Sequence, residues 1–124
     1  MGKKRVLFID DEAVLLKLFE RMLTSADGYE VLTEQEGKRA LQTARSFKPD
    51  IIFMDINMPD VDGPAIVGSM RSDPGLSKVP VVFLTGAVSE EEVQESGGSI
   101  GGEFFLAKPL TQQQLVRCIE EHLK

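Results

Sequence analysis

Short runs of valine, isoleucine, leucine and phenylalanine alternate regularly along this chain with segments whose apolar residues return at helical spacing. The runs predict strands over Arg5 to Ile9, Glu30 to Thr33, Asp50 to Met54, Val79 to Leu84 and Glu103 to Leu106. Three of these five are nearly continuous apolar runs, the pattern of strands covered on both faces, so a parallel sheet is expected.

The intervening segments predict helices with one apolar stripe each. The first carries Val14, Leu15, Leu18, Phe19, Met22 and Leu23, and "ADG" at 26 to 28 supplies its stop. The next buries Ala40, Leu41, Ala44 and Phe47. A third begins at "DGP", where Asp62 can cap and Pro64 is tolerated in the first turn because its missing N–H would have no helical partner. Ile66 and Met70 then face inward. The last helix has Thr111 and Gln114 at capping-box spacing, followed by Leu115, Val116, Ile119 and Leu123.

Strand and helix in repeated alternation predict an α/β fold: a doubly wound, five-stranded parallel sheet in a flavodoxin-like (βα)5 sandwich with right-handed crossovers. At 124 residues the chain is expected to form one domain, 1–124. Its formal charge of −6 argues against a nucleic-acid surface. No apolar run approaches the roughly 18 residues of a membrane helix, so a cytoplasmic protein without membrane contact is expected. Cys118 is the only cysteine and His122 the only histidine, which excludes an intramolecular disulfide and a Cys/His structural zinc site. Any metal must be held by oxygen.

Ligands of such sheets bind beyond the carboxyl ends of the strands. There the first strand runs into Asp10-Asp11, the third into Asp55, the fourth into Thr85-Gly86, and the fifth stops just before Lys108-Pro109. Three carboxylates on one edge repel one another unless a cation sits among them and a lysine offsets the remaining charge. Oxygen ligands alone suit Mg²⁺. An aspartate so held, with a threonine hydroxyl and a lysine ammonium nearby, also offers what an incoming phosphoryl group requires: an oxygen nucleophile and donors for its equatorial oxygens.

"FIDDE", "IIFMDINMPDVDGP", "VVFLTGA" and "FFLAKP", in this order and at these separations, resemble the four signatures of response-regulator receiver domains, of the single-domain chemotaxis type, across essentially the whole chain. Each alone is weak, but the ordered set is specific. The resemblance implies a phospho-acceptor module of a two-component phosphorelay, with Asp55 accepting from a phosphohistidine on a histidine kinase or histidine phosphotransfer protein. It implies that Asp11 and Asp55, with the backbone carbonyl of Asn57, ligate Mg²⁺, and that Asp10 helps through bound water. Lys108 would pair with the carboxylate and then with the phosphoryl oxygens, Thr85 would move to bond the aspartyl phosphate, and Phe105 occupies the aromatic switch position. A downstream protein target and a phosphorylation-linked dimer belong to the same expectation. So does the absence of turnover on any substrate but the domain's own phosphoryl group.

Plainer readings stand beside these. The strand-end aspartates could serve turns and caps, but that does not explain Lys108. Thr85 alone is an ordinary strand-end residue, and Phe105 could simply pack in the core. Cys118 reads as a small apolar residue, and His122, near the end of the last helix, as a solvated one. Asp60 and Asp62 are expected to shape the loop and start the helix, and Ser89 with Glu92 has capping-box spacing.

The chief departure from the family pattern is "ESGGSIGGE", residues 95 to 103. Glycine costs about 1 kcal/mol per residue inside a helix, so the helix before it is expected to be short, frayed or followed by a mobile loop that a partner orders. Ala87 and Asn57 sit where the family modulates the lifetime of the phosphoryl group. Two other function classes remain open: an aspartate-nucleophile, Mg²⁺-dependent phosphatase of haloacid-dehalogenase type, from whose Asp-x-Asp pattern "DDEA" departs, and a receiver-like scaffold that works without phosphorylation. As written the chain stops at Lys124, where a receiver's last helix would end.

Overall fold

The computed structural model describes residues 2–56, 58, 61–85, 99–100, 103–107 and 110–123, with the backbone alone at 99–100, 103–105 and 107. Its strands are β1 (Lys4–Ile9), β2 (Tyr29–Glu34), β3 (Ile51–Asp55), β4 (Val81–Thr85), β5 (Ser99–Ile100) and β6 (Glu103–Ala107), in the sheet order β2-β1-β3-β4-β6-β5. All pairings are parallel except that of β5 with β6. The helices are α1 (Ala13–Thr24), α2 (Ala40–Phe47), α3 (Gly63–Arg71) and α4 (Gln112–His122), and a 3₁₀ turn, Gly37–Arg39, leads into α2. This is the expected doubly wound fold of five parallel strands, with one short antiparallel strand added at its edge.

Side chains alternate across a strand, so each apolar run feeds two cores. Val6, Phe8, Ile51, Phe53, Val82 and Leu84 pack with Leu16, Phe19 and Leu23 of α1 and Leu115, Cys118 and Ile119 of α4. Leu7, Ile9, Ile52, Met54 and Phe83 pack on the opposite face with Ala40, Ala44 and Phe47 of α2 and Val67 and Met70 of α3. Phe8 stacks on both Phe19 and Phe53 with ring centroids 5.1 Å apart, which locks α1 to the sheet centre. Among the described residues no helix is long and apolar enough to cross a membrane.

Local signals place the helix ends. The α4 capping box forms in full: Gln114 N–H donates to Thr111 Oγ1 at 3.1 Å, and Thr111 N–H donates to Gln114 Oε1 at 2.9 Å. Asp62 caps α3 by accepting from Ala65 N–H at 3.4 Å. After α1, Gly28 takes φ +101°, a left-handed conformation that suits glycine, and its carbonyl accepts from Lys4 N–H to start β1.

Three expectations are corrected. In α1, Val14 and Leu18 face solvent, 81% and 44% exposed, whereas Leu16 is buried. The helix is so rich in apolar residues that its sequence allows two overlapping arcs, and the one through Leu16, Phe19 and Leu23 meets the sheet. The third and fourth strands start and end later than the expected bounds, at Ile51–Asp55 and Val81–Thr85, so Asp55 and Thr85, expected at the strand ends, are the last residues of the strands themselves. Asp50 instead closes a turn against β1: its carboxylate accepts from Arg5 N–H and its own N–H donates to the Arg5 carbonyl, each at 2.8 Å.

Within "ESGGSIGGE", Ser99–Ile100 is a strand, with Ser99 opposite Phe104 and Ile100 opposite Glu103. The helix expected before this segment lies outside the described residues, as does the rest of the segment apart from Glu103.

Candidate functional site

Parallel pairing in register brings the strand ends together at one edge of the sheet. Ile9 lies opposite Met54, Asp55 opposite Leu84 and Thr85 opposite Ala107, so Asp55 and Thr85 are the last paired residues of their strands and Asp10 stands one residue beyond one. The sheet bonding runs on past the carboxylates: Asp10 N–H donates to the Glu34 carbonyl and Ile56 N–H to the Leu84 carbonyl, both at 3.1 Å. Sheet backbone therefore carries Asp10, Asp55 and Thr85.

Asp10, Asp55 and Thr85 are the buried polar side chains among the described residues, at 0%, 4% and 1% exposure. Asp11 beside them is exposed. The carboxylates of Asp10, Asp11 and Asp55 each bring an oxygen within 4.8 Å of the others. Asp10 Oδ1 also accepts from Glu12 N–H at 2.9 Å, an Asx turn that holds its carboxylate at the start of α1.

Carboxylates buried this close repel when ionised. A donor set made of carboxylate oxygens, with the exposed member giving access, fits a hard divalent cation such as Mg²⁺. The remaining site residues are located less completely. Phe105 lies in β6 with its backbone opposite Phe83, and Ala107 is opposite Thr85. Lys108, Asn57, Asp60 and Ala87, like the Phe105 side chain, lie outside what the structure describes.

Of the residues set aside in the sequence, Cys118 is buried at 7% exposure, and burial with Glu121 nearby pushes its thiol up to about 12. His122 differs from expectation. It is half-buried, and its Nδ1 lies 2.8 Å from the Cys118 carbonyl oxygen, a bond it donates in the tautomer with a proton on Nδ1.

A feature the sequence did not reveal is a cavity of about 260 Å³ beside Asp11, lined also by Gln35, Glu36, Lys38, Met58 and Val61. Gly37, a glycine in a polar stretch of the sequence, lines it too.

The family model of the response regulator receiver domain matches residues 6–120. The chain belongs to that family. Receiver domains are signalling modules of two-component systems rather than conventional enzymes, and they interact with histidine kinases and downstream targets. This receiver domain is 33% identical over 122 residues to the polar-differentiation response regulator DivK of Brucella anthropi, a match spanning 97% of this chain and 96% of DivK. The structure of chemotaxis protein CheY4 of Vibrio cholerae superposes with a TM-score of 0.82 at 30% identity, over 98% of this receiver domain and 100% of CheY4. A sensor histidine kinase receiver domain of Pseudomonas aeruginosa, with a magnesium ion coordinated in its active-site cleft, superposes with a TM-score of 0.80 at 26% identity over 98% of both chains.

Proposed function

We propose that this receiver domain takes a phosphoryl group onto Asp55 from a phosphohistidine of a histidine kinase or histidine phosphotransfer protein, and that the new charge alters the face it offers to a downstream protein. The observation that carries this reading is the convergence of Asp10, Asp11 and Asp55 within 4.8 Å, at the strand ends of a chain whose residues 6–120 match the receiver family. An Asp55 oxygen would form the new P–O bond as the P–N bond breaks. The imidazole keeps the bonding pair, retains a proton on its other nitrogen and leaves neutral.

Asp11, Asp55 and the backbone carbonyl of Asn57 would hold Mg²⁺, with Asp10 acting through water; the magnesium-bearing Pseudomonas relative supports this assignment. Mg²⁺, when bound, would offset charge on the carboxylates and the transferring oxygens. The ammonium of Lys108 would neutralise Asp55 and later its phosphoryl group, the Thr85 hydroxyl would bond a phosphoryl oxygen, and Phe105 would follow the threonine inward. In this reading 1–124 acts as one cytoplasmic domain, and phosphorylation governs its partner binding and self-association.

Incubation with Mg²⁺ and a small phosphodonor, followed by intact-mass measurement, tests the proposal. One added phosphoryl group that Asp55→Asn abolishes is the expected result. Multiple turnover of a phosphomonoester would point to the phosphatase class instead, and the absence of any modification to a scaffold.

A further inference from the structure

Between β2 and α2 the chain passes through the 3₁₀ turn at Gly37, and this turn touches the loop from β3 to α3 through Val61. A Cβ added to Gly37 would lie 2.4 Å from Val61 Cγ2, 3.1 Å from Cγ1 and 3.3 Å from Cβ. Both Val61 methyls face Gly37, so every staggered χ1 rotamer leaves at least one of them in the way of the added Cβ, whereas alanine at 61 would remove both and leave only the milder 3.3 Å approach of Cβ. Gly37 does not have positive φ, so its lack of a side chain serves close approach rather than an unusual backbone conformation.

This contact sits on the wall of the cavity that also includes Asp11 and Met58. The same loop is held elsewhere by Met58, buried at 6% exposure, and by Gly63, where an added Cβ would stand 3.1 Å from a Phe83 ring carbon. Asp62 then anchors the loop to α3 as its cap. The stretch between β3 and α3 thus starts directly after Asp55 and leans on the turn after β2 through Val61.

We propose that Gly37 and Val61 are positioning residues for the cation: their contact sets the distance of the β3–α3 loop from Asp11 and so the affinity of the carboxylate cluster for Mg²⁺. The inference rests on the reading of Asp10, Asp11 and Asp55 as the Mg²⁺ site. Neither residue touches the ion. Overfilling the contact from one side or emptying it from the other moves the loop, whereas exchanging bulk across it restores the fit.

Mg²⁺ titration followed through the amide resonances of Asp11, Glu12 and Met58, in the wild type, Gly37→Ala, Val61→Ala and the double variant, tests this. Each single substitution is expected to weaken binding about tenfold, and the double variant to return within about threefold of wild type, since residues in contact are not additive. Singles that bind as tightly as the wild type, or a double variant as weak as the two losses combined, would overturn it. Urea unfolding in EDTA runs in parallel: a role in packing alone lowers stability and leaves Mg²⁺ affinity unchanged. If Gly37→Ala does not fold, Val61→Ala alone decides. A wild type that binds no Mg²⁺ removes the site itself, whereas a binding wild type with unaffected singles removes only the positioning role.

Discussion

Asp10 and Asp55 lie at the ends of adjacent parallel strands, 0% and 4% exposed, with carboxylate oxygens within 4.8 Å of each other. Without Mg²⁺ this pair is expected to cost stability, because two buried carboxylates held this close repel when ionised. Asp10→Asn removes one charge and keeps the Oδ1 acceptor that Glu12 N–H uses. In EDTA the variant is expected to be more stable than the wild type by about 1–3 kcal/mol, the range for unit charges at this separation under partial screening. Excess Mg²⁺ should raise the wild-type unfolding midpoint and leave that of the variant nearly unchanged. A lower midpoint for the variant in EDTA would contradict the argument.

The orientation of α1 gives a second expectation. Leu16 is 4% exposed against the sheet, and Val14 is 81% exposed. Leu16→Ala should cost about 2–5 kcal/mol through lost burial and the cavity left behind, whereas Val14→Ala should fall within about 0.5 kcal/mol of wild type. Urea denaturation of the two variants checks the helix face directly, and the opposite order would restore the stripe through Val14 and Leu18.

Cys118 supplies a third. With its thiol pushed up to about 12 by burial and Glu121, roughly one molecule in ten thousand carries the thiolate at pH 8, and the thiolate is the reactive form. A thiol reagent should therefore label the folded protein very slowly and the urea-unfolded protein at an ordinary rate. The same shift has a sign for stability. The folded state holds this proton more tightly than the unfolded state, so the contribution is complete below the ordinary thiol value of 9.0 and is lost as pH rises from there toward about 12. Fast native labelling at pH 8 would refute the burial of the thiol.

Much of the site could be read in the sequence because its signals are local. "IIFMD" is a strand covered on both faces, and Asp55 ends it. "FIDDE" gives the matching end of β1. The Thr111/Gln114 capping box and the Asp62 cap depend on residues three apart in the chain, so spacing alone predicts them. The strand at Ser99–Ile100 escaped notice because a two-residue pairing has no periodicity to detect, and glycine is a poor helix former and an equally poor strand former.

The sequence alone determined the order of strands and helices, the two-sided core and the arrival of Asp10, Asp11, Asp55 and Thr85 at one edge, since period-2 and helical patterns and chain direction are properties of neighbouring residues. Tertiary structure decided which arc of α1 is buried, how nearly the three carboxylates converge, and that Gly37 meets Val61. Those outcomes depend on distances between segments far apart in the chain, set by packing against the sheet and by no local pattern.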